Sequence, residues 1–505
     1  MNSLPLLSLI IFVPWAGALL LALLPKLPAG PTRLIALFVS LSTLALGTTV
    51  LSGFDPAAGL QFVEKHAWIS ALGVNYHLGV DGLSLVLVLL TGIIAPVALF
   101  GTIRTVKQPS LYAALFLFLQ GAALGVFLAL DFFPWFIFWE LSLVPAFFLI
   151  KLWGGPGATR AAYQFVIYTI GGSAFMLMAF AALFAAAGTF DFVQLAAFAK
   201  SGGLATQLGA IGGYWPHLVF LGVFLGLAVK VPLFPFHTWL PPAYAEAPTG
   251  ASMFLTGVMS KMGVYGFLRI LWPIFPADLH AAAPCLIWLA VAGVVLGAYA
   301  AIKQTDLKRM VAYSSVNHLS YCLLALFAVA LAGKPGEASA SALSGAILQM
   351  FNHGLSAAAL FFCVGLLAER AGGRRGLDDF GGVRTAAPLF AALCGISMFS
   401  SLGLPGLNGF VGEFLIFRGV FGLAPATAAV STLGLLATAL FLLTFWQRVF
   451  HGPAKGAGVN FRELDTTEKL TLLPLIALMF VLGLLPQLLA GLVNPLVTSW
   501  VSHLP

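Results

Sequence analysis

The chain is 505 residues long, 60% of them hydrophobic and only 8% charged, where soluble domains carry roughly a quarter charged residues. That balance excludes a soluble globular enzyme and marks an integral membrane protein. The net charge of +7 needs no nucleic-acid partner, because its distribution along the chain is a signal of membrane topology.

A bilayer span takes about 20 apolar residues. Dividing the sequence at its polar and Gly/Pro breaks yields fourteen such segments. The first, at 3–25, contains "LPLLSLIIFVPWAGALLLALLP". It has no basic leader and no A-x-A site before a soluble domain, so a retained helix is expected rather than a signal peptide. The others are expected at 33–52, 81–103, 111–130, 132–152, 162–188, 213–231 with a broken continuation to 247, 249–272, 281–302, 309–332, 341–369, 384–423 with an interruption, 425–450 and 468–499. Two spans and a loop account for the first 75 residues. Runs this long and apolar are helical, because unpaired backbone is prohibitive in lipid, so the expected fold is all-α and polytopic. Cys285, Cys322, Cys363 and Cys394 each stand alone in an apolar run with no CxxC or Cys/His spacing, and read as small core residues rather than metal or Fe–S ligands.

Basic residues accumulate in cytoplasmic loops. Seventeen Lys and Arg fall after odd-numbered spans, from Lys26 to Lys469, against five after even-numbered ones: Lys65, Lys200, Arg269, Lys334 and Arg418. This alternation supports fourteen spans and places both termini on the non-cytoplasmic side. Only Lys230 and Lys261 remain inside spans.

Ionisable groups within spans are costly and mark ion or proton paths. Glu140 stands in "DFFPWFIFWELSLVPAFFLI", about nine residues beyond Asp131, or roughly 13 Å along a helix. Trp135 and Trp139 leave open the alternative of an interfacial carboxylate. Lys230 opens "KVPLFPFHTWLPP", where Pro232 and Pro235 should break the helix near Val231–Pro235 and leave carbonyls unpaired beside the ammonium. His237 lies in the same broken stretch. A lysine that snorkels from a helix end is the plainer reading. Lys261, in mid-span in "ASMFLTGVMSKMGVYGFLRI", is too far from either end to snorkel. A second interruption, "FSSLGLPGLNGFVGEFLIF", is broken by Gly403, Pro405, Gly406 and Gly409 and followed by Glu413. Two broken helices, each with a charge near its break, suit a pair of internal repeats. His318 and His353 are isolated on apolar backgrounds, as hydrogen-bonded core histidines or as relay groups titrating near neutral pH.

Together "VKVPLFPFHTWLPPAYAEAPTGAS", "QTDLKRMVAYSSVNHLS", "NHGLSAAALFF", "YHLGVDGLSL" and "GLPGLNGFVGEF" resemble the antiporter-like membrane subunits of proton-pumping NADH:quinone oxidoreductase, respiratory complex I, over residues 76 to 450. The resemblance implies fourteen helices with two inverted five-helix repeats, each containing a broken helix. Residues 1–110 would hold helices 1–3, 111–272 the first repeat, 281–450 the second, and 468–505 helix 14. It also implies a proton-conducting row in which Glu140 matches the family's essential glutamate, Lys230 its broken-helix lysine and Lys261 the lysine of the next span. His318 and His353 match the polar residues linking the halves. Glutamate at 413, where related chains carry lysine, points to the M-type branch, homologous to mitochondrial subunit 4. The chain ends soon after its last expected span, so the long lateral helix of the L-type branch is not expected.

The implied activity is proton translocation in a bacterial inner membrane or an equivalent energy-transducing membrane, beside neighbouring antiporter-like subunits. No cofactor is expected in this chain, since no dinucleotide fingerprint, haem signature or cysteine cluster is present; NADH, FMN, Fe–S clusters and quinone are implied in partner subunits. A multisubunit sodium/proton antiporter shares the fold, and Glu413 argues against it. A membrane-bound hydrogenase or photosynthetic-type complex remains open. A stand-alone secondary transporter would need a substrate pocket of specific polar groups rather than a row of titratable ones.

Overall fold

A computed structural model describes residues 4–104, 106–459 and 461–504; Ser3, where the first expected span opens, lies outside them. Helices α1 (Leu6–Leu23) and α2 (Ala29–Ser52) open the chain. The stretch between α2 and the next span, expected as a plain loop, is a hairpin. Strands β1 (Gln61–Ile69) and β2 (Val74–Val80) pair antiparallel in it, closing through Gly73 at φ +61°, where a side chain would be strained. Most of β1 is exposed, so it buries no face and shows none of the period-2 alternation that reveals strands in sequence. Lys65 and His77 stand opposite each other in the register and share a face, from which Lys65 Nζ donates to Asp191 at 2.6 Å while His77 Nδ1 lies 2.9 Å away. Burial pushes the Asp191 carboxyl up, but the His77 and Lys65 contacts outweigh it and hold the group at about 2.

The chain continues through α3 (Gly82–Thr102), α4 (Pro109–Leu128), α5 (Phe132–Leu141), α6 (Leu143–Trp153) and α7 (Ala158–Ala187). Two short helices, α8 (Phe192–Lys200) and α9 (Gly203–Ile211), precede α10 (Trp215–Lys230) and α11 (Leu240–Glu246). Next come α12 (Thr249–Phe254), a π turn at Leu255–Met259, α13 (Lys261–Gly266), a second π turn at Phe267–Leu271 and α14 (Trp272–Ile274). The second half holds α15 (Pro276–Ile302), α16 (Leu307–Ala332), α17 (Glu337–Arg370), α18 (Val383–Ala386), α19 (Pro388–Ser401), α20 (Asn408–Leu423) and α21 (Pro425–Phe450). The chain closes with α22 (Thr466–Leu484) and α23 (Gln487–Ser502); the expected last span 468–499 is thus two helices, parted at Leu485–Pro486.

Eleven helices among the described residues are long and apolar enough to cross a membrane, or twelve if α9 and α10, bent by 109°, count as one. The three expected spans outside those eleven are the interrupted ones. The chain breaks after Lys230, π turns divide Thr249–Ile274, and α19 parts from α20 between Leu402 and Leu407. Around them the helices sort by burial. Every residue in the apolar window of α17 is buried, as are 89% in α16 and 83% in each of α3 and α4, against 33% in α7. Outer helices present large apolar side chains such as Phe38 and Met178, as a lipid-facing surface requires. Small residues let the inner helices approach closely. A Cβ on Gly354 of α17 would stand 2.8 Å from the Gly257 carbonyl in the first π turn.

Ion pairs respect the faces read from the loops. Lys65–Asp191, Arg269–Asp81, His217–Asp278 and Arg418–Glu337 join groups on the even-loop side. Arg370–Glu468, Arg375–Glu246, Arg375–Asp306 and Arg448–Asp378 join groups on the basic side. No ion pair among the described residues links the two faces. Tags on either terminus are therefore expected on the non-cytoplasmic side, and the 370–384 loop on the cytoplasmic side. Cysteine labelling that put the termini on opposite faces would rule out an even number of spans.

Candidate functional site

The first break falls where the prolines place it: α10 ends at Lys230 and the chain re-forms as a 3-10 turn at Phe236–Trp239. The freed carbonyls do not all face the ammonium, because the Trp239 indole N–H donates to the Val229 carbonyl at 2.9 Å. The Lys230 ammonium is buried, donates to Ser142 Oγ at 3.4 Å and lies 4.9 Å over the Trp139 ring. Ser142 in turn donates to the Trp139 carbonyl at 2.7 Å. The residues nearest this lysine thus bracket Glu140 in sequence, at the junction of α5 and α6.

Glu140 itself lies at the end of α5. It is half-buried, its Oε1 is shielded and unpartnered, and no ion pair within 4 Å joins it to a cation among the described residues. The α5 helix ends one residue later, and Ser142 takes the place beside the ammonium. His237 is also half-buried, its ring stacked on Phe234 at 5.4 Å and edge-on to Tyr313 at 6.5 Å. It sits in the broken stretch, and none of these contacts ties it to Lys230.

Lys261 is wholly buried. Its ammonium donates to the Thr256 carbonyl at 2.5 Å and to Ser260 Oγ at 3.3 Å, with no carboxylate within ion-pair distance among the described residues. A π turn ends two residues before this lysine and another begins six residues after it, a feature concentrated at functional sites.

Near the second break three of the expected residues converge. His318 Nδ1 approaches Glu413 Oε1 to 3.1 Å, although neither ring nitrogen of His318 has an aligned hydrogen bond. The His318 and His353 rings stack with centroids 5.0 Å apart. Gln349 Nε2 donates to the same Glu413 oxygen at 3.2 Å. Sequence reasoning passed over Gln349, which sits one helical turn before His353 and carries no charge to draw attention. It also passed over the network that fastens this break. Asn352 Nδ2 donates to the Asn408 carbonyl at 2.7 Å, Ser400 Oγ donates to Asn408 Oδ1 at 2.6 Å, and Ser356 and Ser400 hydroxyls meet at 2.6 Å. On the basic face Lys308, counted from the sequence as a loop residue, is buried and donates to the Ala247 carbonyl at 2.9 Å.

Residues 129–440 match the family described as NADH:quinone oxidoreductase/Mrp antiporter, transmembrane. The chain belongs to this family. Among relatives in it, NADH-quinone oxidoreductase subunit M of Rhodobacter capsulatus is 36% identical over 507 residues, covering 99% of this chain and 96% of that protein. A chain of respiratory complex I from Thermus thermophilus, with bound NADH, superposes with a TM-score of 0.87 at 28% identity, covering 99% of this chain and all of the other. A chain of the Mrp complex from Dietzia superposes with a TM-score of 0.84 at 21% identity, covering both fully, a likeness of fold alone. The M-type branch expected from Glu413 is the one whose name the Rhodobacter relative carries. This chain is thus an integral, multi-pass antiporter-like membrane subunit of the complex I type.

The chemistry open to the site is proton exchange. It contains two lysines without carboxylate contacts, a stacked imidazole pair against a carboxylate, and shielded polar atoms on Glu140, His318, His353 and Gln349 that have no protein partner. Such atoms are where ordered water sits in protein interiors.

Proposed function

We propose that this chain moves protons across the membrane through Glu140, Lys230, Lys261, His318, His353 and Glu413, as the M-type subunit of a proton-pumping NADH:quinone oxidoreductase. Quinone reduction drives it from partner subunits that hold the NADH site, FMN and Fe–S clusters, and other antiporter-like subunits lie beside it. The observation that carries the reading is Lys261. A structural lysine at this depth is paired with an acid, because an uncompensated buried charge is expensive. Lys261 is held instead by a backbone carbonyl and a hydroxyl, a setting in which both the ammonium and the neutral amine find a partner. His237, in the broken stretch that follows Lys230, completes the proposed path, and the two halves, each with one broken helix, are the units that would alternate.

Lys261→Ala is expected to leave the complex assembled on native gels and to impair NADH-driven proton uptake by membrane vesicles. Normal uptake by the assembled variant would return Lys261 to a structural role and remove the support for the row. Uptake that required sodium would favour the antiporter alternative.

A further inference from the structure

The row has a gap between its two lysines, and the first π turn lies across it. In a regular α-helix the Thr256 carbonyl accepts the Ser260 N–H. Here that N–H goes one residue further back, to the Leu255 carbonyl at 3.0 Å. The Thr256 carbonyl instead takes the Ser260 hydroxyl at 2.8 Å and the Lys261 ammonium at 2.5 Å. Ser260 is 2% exposed, and its Oγ also stands 3.3 Å from Lys261 Nζ. Behind this hydroxyl is a small internal cavity of about 10 Å³, lined by Lys230, Ser260, Tyr244, Leu255, Met259 and Trp239 among others. That is about the room one water molecule needs, and Lys230, Ser260 and Tyr244 bring polar side chains to its lining. Tyr244 donates its own hydroxyl to the Leu255 carbonyl at 3.0 Å, so it braces the π turn.

We propose that Ser260 is the relay hydroxyl between Lys230 and Lys261, taking protons from Lys230 through one water molecule held in this cavity, and that the π turn serves to place it there. The Lys230 ammonium gives a proton to the water oxygen and becomes a neutral amine. The water gives one of its own protons to Ser260 Oγ, and the serine's original hydroxyl proton passes to a neutral Lys261 amine as the hydroxyl turns from the Thr256 carbonyl to the lysine nitrogen. Water and serine end as they began, and one proton has moved. The relay rests on the proposed proton row.

The test is proton uptake driven by NADH in vesicles carrying the assembled complex. Ser260→Ala is expected to lower uptake roughly a hundredfold, as loss of a positioned transfer group does, and to raise its solvent isotope effect. Ser260→Thr, which keeps the hydroxyl, is expected to pump near the unsubstituted rate. A packing role predicts the reverse, since alanine fits and the extra methyl of threonine crowds a closed site. Normal uptake in Ser260→Ala overturns the relay. Lys261→Ala separates the relay from the row: if it stops pumping while Ser260→Ala does not, only the relay falls, and if it pumps normally, the row itself falls.

Discussion

Proton uptake in membranes carrying Glu413→Gln is expected to collapse while the complex remains assembled, because loss of a group that gives and takes a proton slows the step it serves by roughly a hundredfold or more. The carboxylate lies in the second turn of α20, with Oε1 3.2 Å from the Gln349 amide and 3.1 Å from His318. Its other oxygen packs against Gly403 in the break, where a Cβ would come within 2.6 Å of it. A glutamine fits that space and still offers Gln349 an acceptor, so the break keeps its shape. It has no proton to exchange, and it no longer answers a charge on His318. The Asn352–Asn408–Ser400 network fixes this turn independently of the charge, which is why assembly should survive. Glu413→Asp keeps the acid but withdraws it by one methylene from His318, so partial pumping is expected. Full pumping by assembled Glu413→Gln would take the residue out of the path.

Both breaks were legible in the sequence because proline and clustered glycine act on the backbone locally and leave the same mark whatever packs around them. Charges inside apolar runs were legible for a similar reason, as lipid makes each an exception. The π turns around Lys261 were not, since "LTGVM" and "FLRIL" have compositions that suit an α-helix equally well; the wider turn reflects packing against Gly354 and the bond from Tyr244. The hairpin was hidden because its first strand is mostly exposed and shows no period-2 alternation. Gln349, Asn352, Asn408 and Ser260 are neutral, and neutral polar residues in membrane helices are common enough to pass unnoticed until their partners are seen. Glu140 and Lys230 form no ion pair, because the end of α5 places Ser142 beside the ammonium and leaves the carboxylate half-buried.

The missing contact changes the size but not the direction of the effect expected for Glu140→Gln. Breaking a direct buried pair would amount to about 3–5 kcal/mol; without contact, the carboxylate acts on Lys230 through its field. The interaction between two unit charges falls off only as the inverse of their separation, so a carboxylate beyond contact distance still favours the charged form of the lysine. Removing the charge therefore favours the neutral form of Lys230, which then has no proton to pass to Lys261, and both proton uptake and coupled quinone reduction should fall. Glu140→Asp keeps the charge slightly displaced and should retain partial activity. Half-exposure gives the opposing view its force, since an interfacial carboxylate tolerates glutamine within about 0.5 kcal/mol. The double variant separates the two. If Glu140 acts through Lys230, then adding Glu140→Gln to Lys230→Ala makes pumping no worse than Lys230→Ala alone, whereas independent roles add. Normal turnover in assembled Glu140→Gln, or strict additivity in the double variant, would end the case for this carboxylate as the controller of the first lysine.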